Sequence, residues 1–203
     1  AKLGLEPGDV RHIVLTHADP DHTGGLADFP HAQTHISRRE WESIDAGSWR
    51  YLPQHFVHDP TWKTYARPDR TWFGIRSNVV DLDMDADVCL VSLPGHTLGH
   101  CGVAVRTEGG WLLHVGDAYY LRVELTTDDH PVSALARQRA DDDVARIASL
   151  QRLRWLMHDH AAEIQCFGYH DLAEFSSAAS GRMAASTCRG DGETSLPAAT
   201  QVE

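Results

Sequence analysis

The sequence predicts an α/β fold, on three observations. Four short apolar runs read as strands, and each ends in residues that can ligate a metal: Ile13-Val14-Leu15, Val91-Ser92-Leu93, Trp111-Leu112-Leu113-His114-Val115 and Ile164-Gln165-Cys166-Phe167. Val144, Ile147, Leu150, Leu153 and Met157 recur at helical spacing, an apolar stripe expected to lie in the core. The polar groups cluster just past the strand ends, where α/β proteins usually place their chemistry. With 203 residues, 42% of them hydrophobic, the chain can bury one substantial core. Residues 1–175 are read as one domain and 176–203 as a disordered tail, since Ser176 onward is rich in Ala, Ser, Gly and Thr without apolar periodicity.

In chain order, residues 6–11 read as a turn or helix end before the strand at 13–15. A short strand follows at 33–36. Residues 37–46 read as a helix, with Ser37 as cap and Glu40 three residues on completing a capping box. Residues 47–78 are rich in Trp, Tyr, Pro and His with little periodicity. They read either as a covering loop packed on the sheet or as a pocket wall for an apolar acyl or ring substrate. Strands are expected near 79–82, 88–93, 101–106 and 111–115. Asp141-Asp142-Asp143 then starts a helix with acidic charge at its N-terminus.

The segment Thr16-His17-Ala18-Asp19-Pro20-Asp21-His22-Thr23-Gly24-Gly25 is the most informative. It offers His17, Asp19, Asp21 and His22 within six residues, directly after a strand. Burying that much ionisable surface is costly without a cation. Imidazole and carboxylate together suit zinc, iron or manganese. Pro94-Gly95-His96-Thr97-Leu98-Gly99-His100, Gly116-Asp117 and Gly168-Tyr169-His170 repeat the design.

These four blocks, in this order, resemble the metallo-β-lactamase fold hydrolases. That pattern runs His-x-His-x-Asp-His, Pro-Gly-His-Thr-x-Gly-His, Gly-Asp and a final His. The chain is most similar to lactonase-like and esterase-like members. The resemblance implies an αββα sandwich, here short of the first N-terminal strands, because little chain precedes the strand at 13–15. Open sheet edges would then invite a homo-oligomer. It also implies two divalent ions, zinc first, with iron, manganese or cobalt open. His17, Asp19 and His96 would hold one ion, Asp21, His22 and His170 the other, and Asp117 would bridge them. His100 would hydrogen-bond behind the ligands rather than ligate. Asp19 stands where the family has His. Its extra carboxylate would make the hydroxide-bearing centre formally neutral, leave the bound water less acidified and shift the optimum to basic pH. The implied activity is hydrolysis of an ester or lactone by a hydroxide of the dinuclear centre, with Asp21 orienting the nucleophile and Tyr120 against the carbonyl oxygen. A β-lactam-hydrolysing enzyme and a non-catalytic relative that keeps the fold are the rival readings.

A formal charge of −11 argues against nucleic acid and other polyanions as partners. No stretch approaches the ~20 apolar residues of a membrane span. The start, Ala1-Lys2-Leu3-Gly4-Leu5, lacks a signal-peptide pattern. Cys89, Cys101, Cys166 and Cys188 form no CxxC pair, and Cys89 and Cys166 read as buried thiols. A reducing, cytoplasmic setting is therefore expected. Of the other histidines, His114 reads as a packed core residue. His31, His35, His55, His58, His158 and His160 read mostly as surface residues.

Overall fold

Alternation along short strands sorts the chain into four layers. The computed structural model describes residues 4–174; the expected tail and Cys188 lie outside them. The first sheet is parallel, in the order β1 (His12–Val14), β2 (Gln33–Ser37), β3 (Thr61–Tyr65). A four-residue helix, α1 (Pro20–Thr23), and then α2 (Arg38–Asp45) complete this part. The second sheet runs in chain order: β4 (Arg70–Trp72), β5 (Ile75–Val79), β6 (Val88–Ser92), β7 (Cys101–Thr107), β8 (Gly110–His114), then β9 (Ile164–Phe167). Between β8 and β9 come α3 (Pro131–Arg139) and α4 (Asp143–Asp159).

The period of two along each strand assigns the faces. Val88 and Leu90 of β6 point between the sheets, where Val80, Leu82 and Cys101 join them, with Val14 of β1 and Tyr65 of β3 packed against the cluster. Cys89 and Val91 point the other way, with Ala104, Leu113 and Cys166, onto Leu150, Leu153 and Leu156 of α4. The outer face of the first sheet buries Leu15 and Ile36 against Trp41 and Ile44 of α2. Helix, sheet, sheet, helix is the αββα sandwich.

Four local expectations are corrected. Residues 47–78 are not one aperiodic insertion: they contain β3, β4 and most of β5, whose Thr, Trp and Tyr are strand formers in pieces too short to show alternation. The strand expected at 79–82 ends at Val79, although Val80 and Leu82 still enter the core. The stripe on α4 is core only from Leu150 onward; Val144 and Ile147 are exposed. The first turns instead pack Arg146 and Ser149 against the Pro94-Gly95 loop, where Ser149 Oγ donates to the Pro94 carbonyl at 2.7 Å. His35 is fully buried, not on the surface, between His12 and Tyr65 at 3.0 and 2.8 Å. Helix α3 carried no sequence signal because it buries only Ala136. Among the described residues, no helix is long and apolar enough to cross a membrane.

Candidate metal centre

β6, β8 and β9 run in the same direction: β6 and β8 are both antiparallel to β7, and β9 is parallel to β8. Their C-terminal loops therefore emerge at one edge. The loop after β1 joins them there, because Cys101 N, at the start of β7, donates to the Thr16 carbonyl at 2.9 Å. Two glycines permit the approach. Gly95 has φ +136°, and a Cβ there would run into the Arg146 backbone of α4. Gly116 has φ +56°, and a Cβ would press on His100 Nε2 and Thr16.

Seven donor side chains converge in two groups, His17–Asp19–His96 and Asp21–His22–Asp117–His170, with one ligand-type atom per residue lying within 4.8 Å of the others in each group. Asp117 stands between them. Its Oδ2 lies 3.0 Å from His170 Nε2, 3.4 Å from His96 Nε2 and 3.9 Å from His17 Nε2, while Oδ1 lies 3.1 Å from His22 Nε2. His17 Nε2, His22 Nε2 and Asp117 Oδ1 are buried and, close as they lie, are not aligned into hydrogen bonds. Orphaned polar atoms of this kind are rare in folded proteins. Imidazole nitrogens and carboxylate oxygens facing one space are the donor set of divalent transition ions. The residues fit such a centre.

Three of the four donors with shifted protonation, Asp117, Asp19 and His17, favour the ligating form, and His170 goes the other way. Burial alone would raise the Asp117 carboxyl, but the contacts with His170, His22 and His17 outweigh it and hold the group well below the usual carboxylate range. The same competition, with His17, His96 and Arg50 as partners, holds Asp19 down. Burial pushes His17 below its ordinary value, leaving a neutral ring able to ligate. His170, more open, is pushed up by its hydrogen bond to Asp117.

Second contacts fix the loops. His100 is buried; its Nδ1 donates to the Leu93 carbonyl at 2.8 Å and its Nε2 accepts from Asp117 N at 3.0 Å, which sets one neutral tautomer. The expected capping box is half formed. Ser37 Oγ accepts from Glu40 N at 3.1 Å, but the Glu40 carboxylate turns inward. There it accepts from Ala18 N at 2.9 Å, Tyr51 Oη at 2.8 Å and Thr97 Oγ1 at 2.6 Å, tying the first two motif loops together. A better-paired destination won over local helix capping.

Arg50 had no role in the sequence reading, and it changes the charge count. Its Nε and Nη2 donate to Asp19 Oδ1 and Oδ2 at 2.5 and 2.7 Å, and Nη2 lies 2.8 Å from His96 Nε2. The carboxylate that replaces the usual His thus arrives with its own counter-charge. With the guanidinium against it, the added carboxylate brings no net negative charge to the unloaded cluster. The signal was available, since a buried carboxylate requires a partner.

A cavity of about 610 Å³ opens over the donors. Asp19, Asp21, Asp117 and His170 line one side, and Trp49, Leu121, Val132 and Leu135 give it apolar surface. Tyr120 also lines it, with its ring 4.9 Å from that of His170 and 5.9 Å from that of His96. Tyr119 points away into the core and donates to Glu174 at 3.0 Å.

A "Probable metallo-hydrolase" of Mycobacterium tuberculosis is 35% identical over 189 residues, 86% of this chain and 60% of that protein. The N-acyl homoserine lactonase AttM of Azorhizobium caulinodans is 31% identical over 166 residues, 80% of this chain and 59% of that protein. The chain spans about 60% of the length of these curated relatives. A crystal structure of a Bacillus thuringiensis AiiA mutant with N-decanoyl-L-homoserine bound at the active site superposes with a TM-score of 0.65 at 22% identity, over 87% of this chain and 62% of that one. AidC, a dizinc quorum-quenching lactonase in complex with a product, gives 0.58 at 22% identity, over 84% and 60%. At that identity the likeness is one of fold. The family model of the metallo-beta-lactamase superfamily matches residues 1–157. With three of the four strand-end motifs inside that match, and the fourth delivering His170 to the same donors, the chain belongs to the metallo-beta-lactamase superfamily.

Proposed function

We propose that this chain is the core of a metal-dependent hydrolase that opens an uncharged lactone or ester. The observation that carries the reading is the pair of donor clusters sharing Asp117 beside a cavity with an apolar wall. Relatives named as N-acyl homoserine lactonases, and solved neighbours holding N-acyl homoserines, support a lactone as the substrate class. His17, Asp19 and His96 would hold one divalent ion, Asp21, His22 and His170 the other, and Asp117 both. Zinc suits the imidazoles, and Asp19 leaves room for iron, manganese or cobalt. When bound, such ions supply Lewis acidity toward the carbonyl and acidify the attacking water.

The chain's own residues do the positioning. Asp21 projects half-exposed into the cavity, where its carboxylate accepts a hydrogen bond from the attacking water and orients it. Burial and then the nearby Asp117 charge push the Tyr120 phenol up, so it stays protonated and donates to the carbonyl oxygen as charge develops there. Trp49, Val132 and Leu135 give the acyl portion an apolar wall to lie against.

The test is a panel on metal-replete protein: N-acyl homoserine lactones of several chain lengths, simple lactones, aryl esters and one β-lactam, with elemental analysis of the same sample. Lactone turnover with two ions per chain is expected. Turnover of the β-lactam alone would move the protein to the rival hydrolase class. Bound metal without any turnover would leave a non-catalytic relative.

A further inference from the structure

The two donor clusters are not equally free to take an ion. Arg50 grips both oxygens of Asp19 in a fork-to-fork pair and also touches His96 Nε2 at 2.8 Å. One guanidinium thus engages two of the three side chains in the first cluster. Among the described residues, no lysine or arginine pairs with Asp21, His22, Asp117 or His170. A guanidinium keeps its charge at any working pH, so it yields its place only by moving. It has somewhere to go. Its Nη1 already donates to the Arg139 carbonyl at 2.6 Å and reaches Asp141 Oδ1 at 3.3 Å.

We propose that Arg50 is the resident cation of the His17–Asp19–His96 cluster, which accepts a metal ion only when the guanidinium swings onto Asp141 and the Arg139 carbonyl. The clusters then fill in a fixed order, with Asp21–His22–Asp117–His170 first. At limiting metal the protein carries one ion, and Arg50 supplies the positive charge of the His17–Asp19–His96 cluster. The inference rests on the reading of both clusters as ligand sets.

The test titrates metal-free protein with zinc against a chromophoric chelator, and with cobalt by visible absorption. The parent should bind one zinc tightly and a second at least about tenfold more weakly. Arg50→Met should tighten the second step by roughly ten- to a hundredfold, what releasing hydrogen bonds from a charged donor is worth, and leave the first step nearly unchanged. Arg50→Lys, which keeps the charge but loses the fork, should fall between. The cobalt spectrum at one equivalent of the parent should match that of Asp19→Ala, in which only the second cluster remains. In a His22→Ala background the parent should hold no tight zinc, and adding Arg50→Met should restore one ion.

A second step that is unchanged or weaker in folded Arg50→Met, as judged by circular dichroism and thermal melting, would overturn the proposal. So would a first-equivalent cobalt spectrum unlike that of Asp19→Ala, which decides the matter even if Arg50→Met does not fold. If the parent takes up no zinc or cobalt at all, the metal reading fails with it. If ions bind but Arg50 leaves the order untouched, only this inference fails.

Discussion

His17, Asp19 and His96 have side chains 0%, 13% and 2% exposed, around a carboxylate held by Arg50; Asp21 and His170, at 49% and 36%, open onto the cavity. The enclosed cluster is organised by packing. Its loops are tied by Glu40, and its charge is balanced by protein. The open cluster is organised by Asp117, and its two exposed members, Asp21 and His170, line the cavity. The comparison teaches that one centre can combine a preset half with a receptive half, and that a substitution should act differently according to which half it touches.

Asp117 is where the comparison is most easily broken, because it touches both halves. Asp117→Asn keeps the shape and removes the charge. It should cost both ions at micromolar zinc and lower kcat/KM by at least about a thousandfold, since metal Lewis acidity supplies several kcal/mol of transition-state stabilisation. Elemental analysis and lactone kinetics check it. Retention of one full equivalent of zinc would mean that the clusters are not coupled through this carboxylate.

Glu40 tests the preset half. Glu40→Gln leaves an amide NH₂ facing donors that now meet a carboxylate, stranding at least one buried group. The cost should be about 2–4 kcal/mol, read as a drop in Tm of roughly 5–15 °C for a chain of this size. Zinc binding should weaken in the enclosed cluster, whose Ala18 and Thr97 neighbours Glu40 holds, more than in the open one. Equal weakening of both would argue against two independently built halves.

These residues also mark how far the sequence alone could reach. Every donor lies in a short motif directly after a strand, so one-dimensional spacing carried the clusters, and the ordered glycines carried the convergence of the loops. Arg50 and Glu40 act across 31 and 57 positions, on Asp19 and Thr97, and no local pattern encodes such pairings. Local capping rules pointed Glu40 toward its own helix and were overruled by three buried donors. β6 was legible as a strand because its apolar run is unbroken from Val88 to Val91, as a strand buried on both faces requires, while the layer order came from the family resemblance. Not legible were β3 and β4, whose strand formers come in fragments, and α3, whose surface is almost wholly polar or exposed.

His35 sharpens the comparison from outside the centre. It is as buried as His17, but its ring nitrogens are both engaged, by His12 and Tyr65, so it has no atom left for an ion. Burial first, and then the charges of His12 and Lys63 outweighing those of Asp81 and Asp83, push it down to about 4. The folded state therefore prefers the neutral ring. Its stabilisation is complete above the unfolded value near 6.5 and is lost as pH falls toward 4, by roughly 2–3 kcal/mol. Denaturant unfolding of metal-free parent and His35→Gln between pH 4 and 7 should show the slope reduced in the variant. Parallel slopes would assign the acid sensitivity to the donor clusters alone.

The smallest effect is expected at Tyr120, whose ring sits between His170 and His96 and so overlooks both halves. Tyr120→Phe removes one hydrogen-bond donor and leaves the ring packing and every candidate ligand in place. If the phenol donates to the carbonyl oxygen, kcat should fall about tenfold, near 1.4 kcal/mol, because the bond strengthens as charge develops on that oxygen. KM should change little, and zinc content should stay at the parental level. The split between kcat and KM is decisive. A rise in KM with kcat unchanged would make Tyr120 a binding contact, and loss of zinc would make it a prop for His170. An unchanged kcat and KM would leave the carbonyl facing the metal donors alone, with the open half of the centre taking on the work assigned here to the tyrosine.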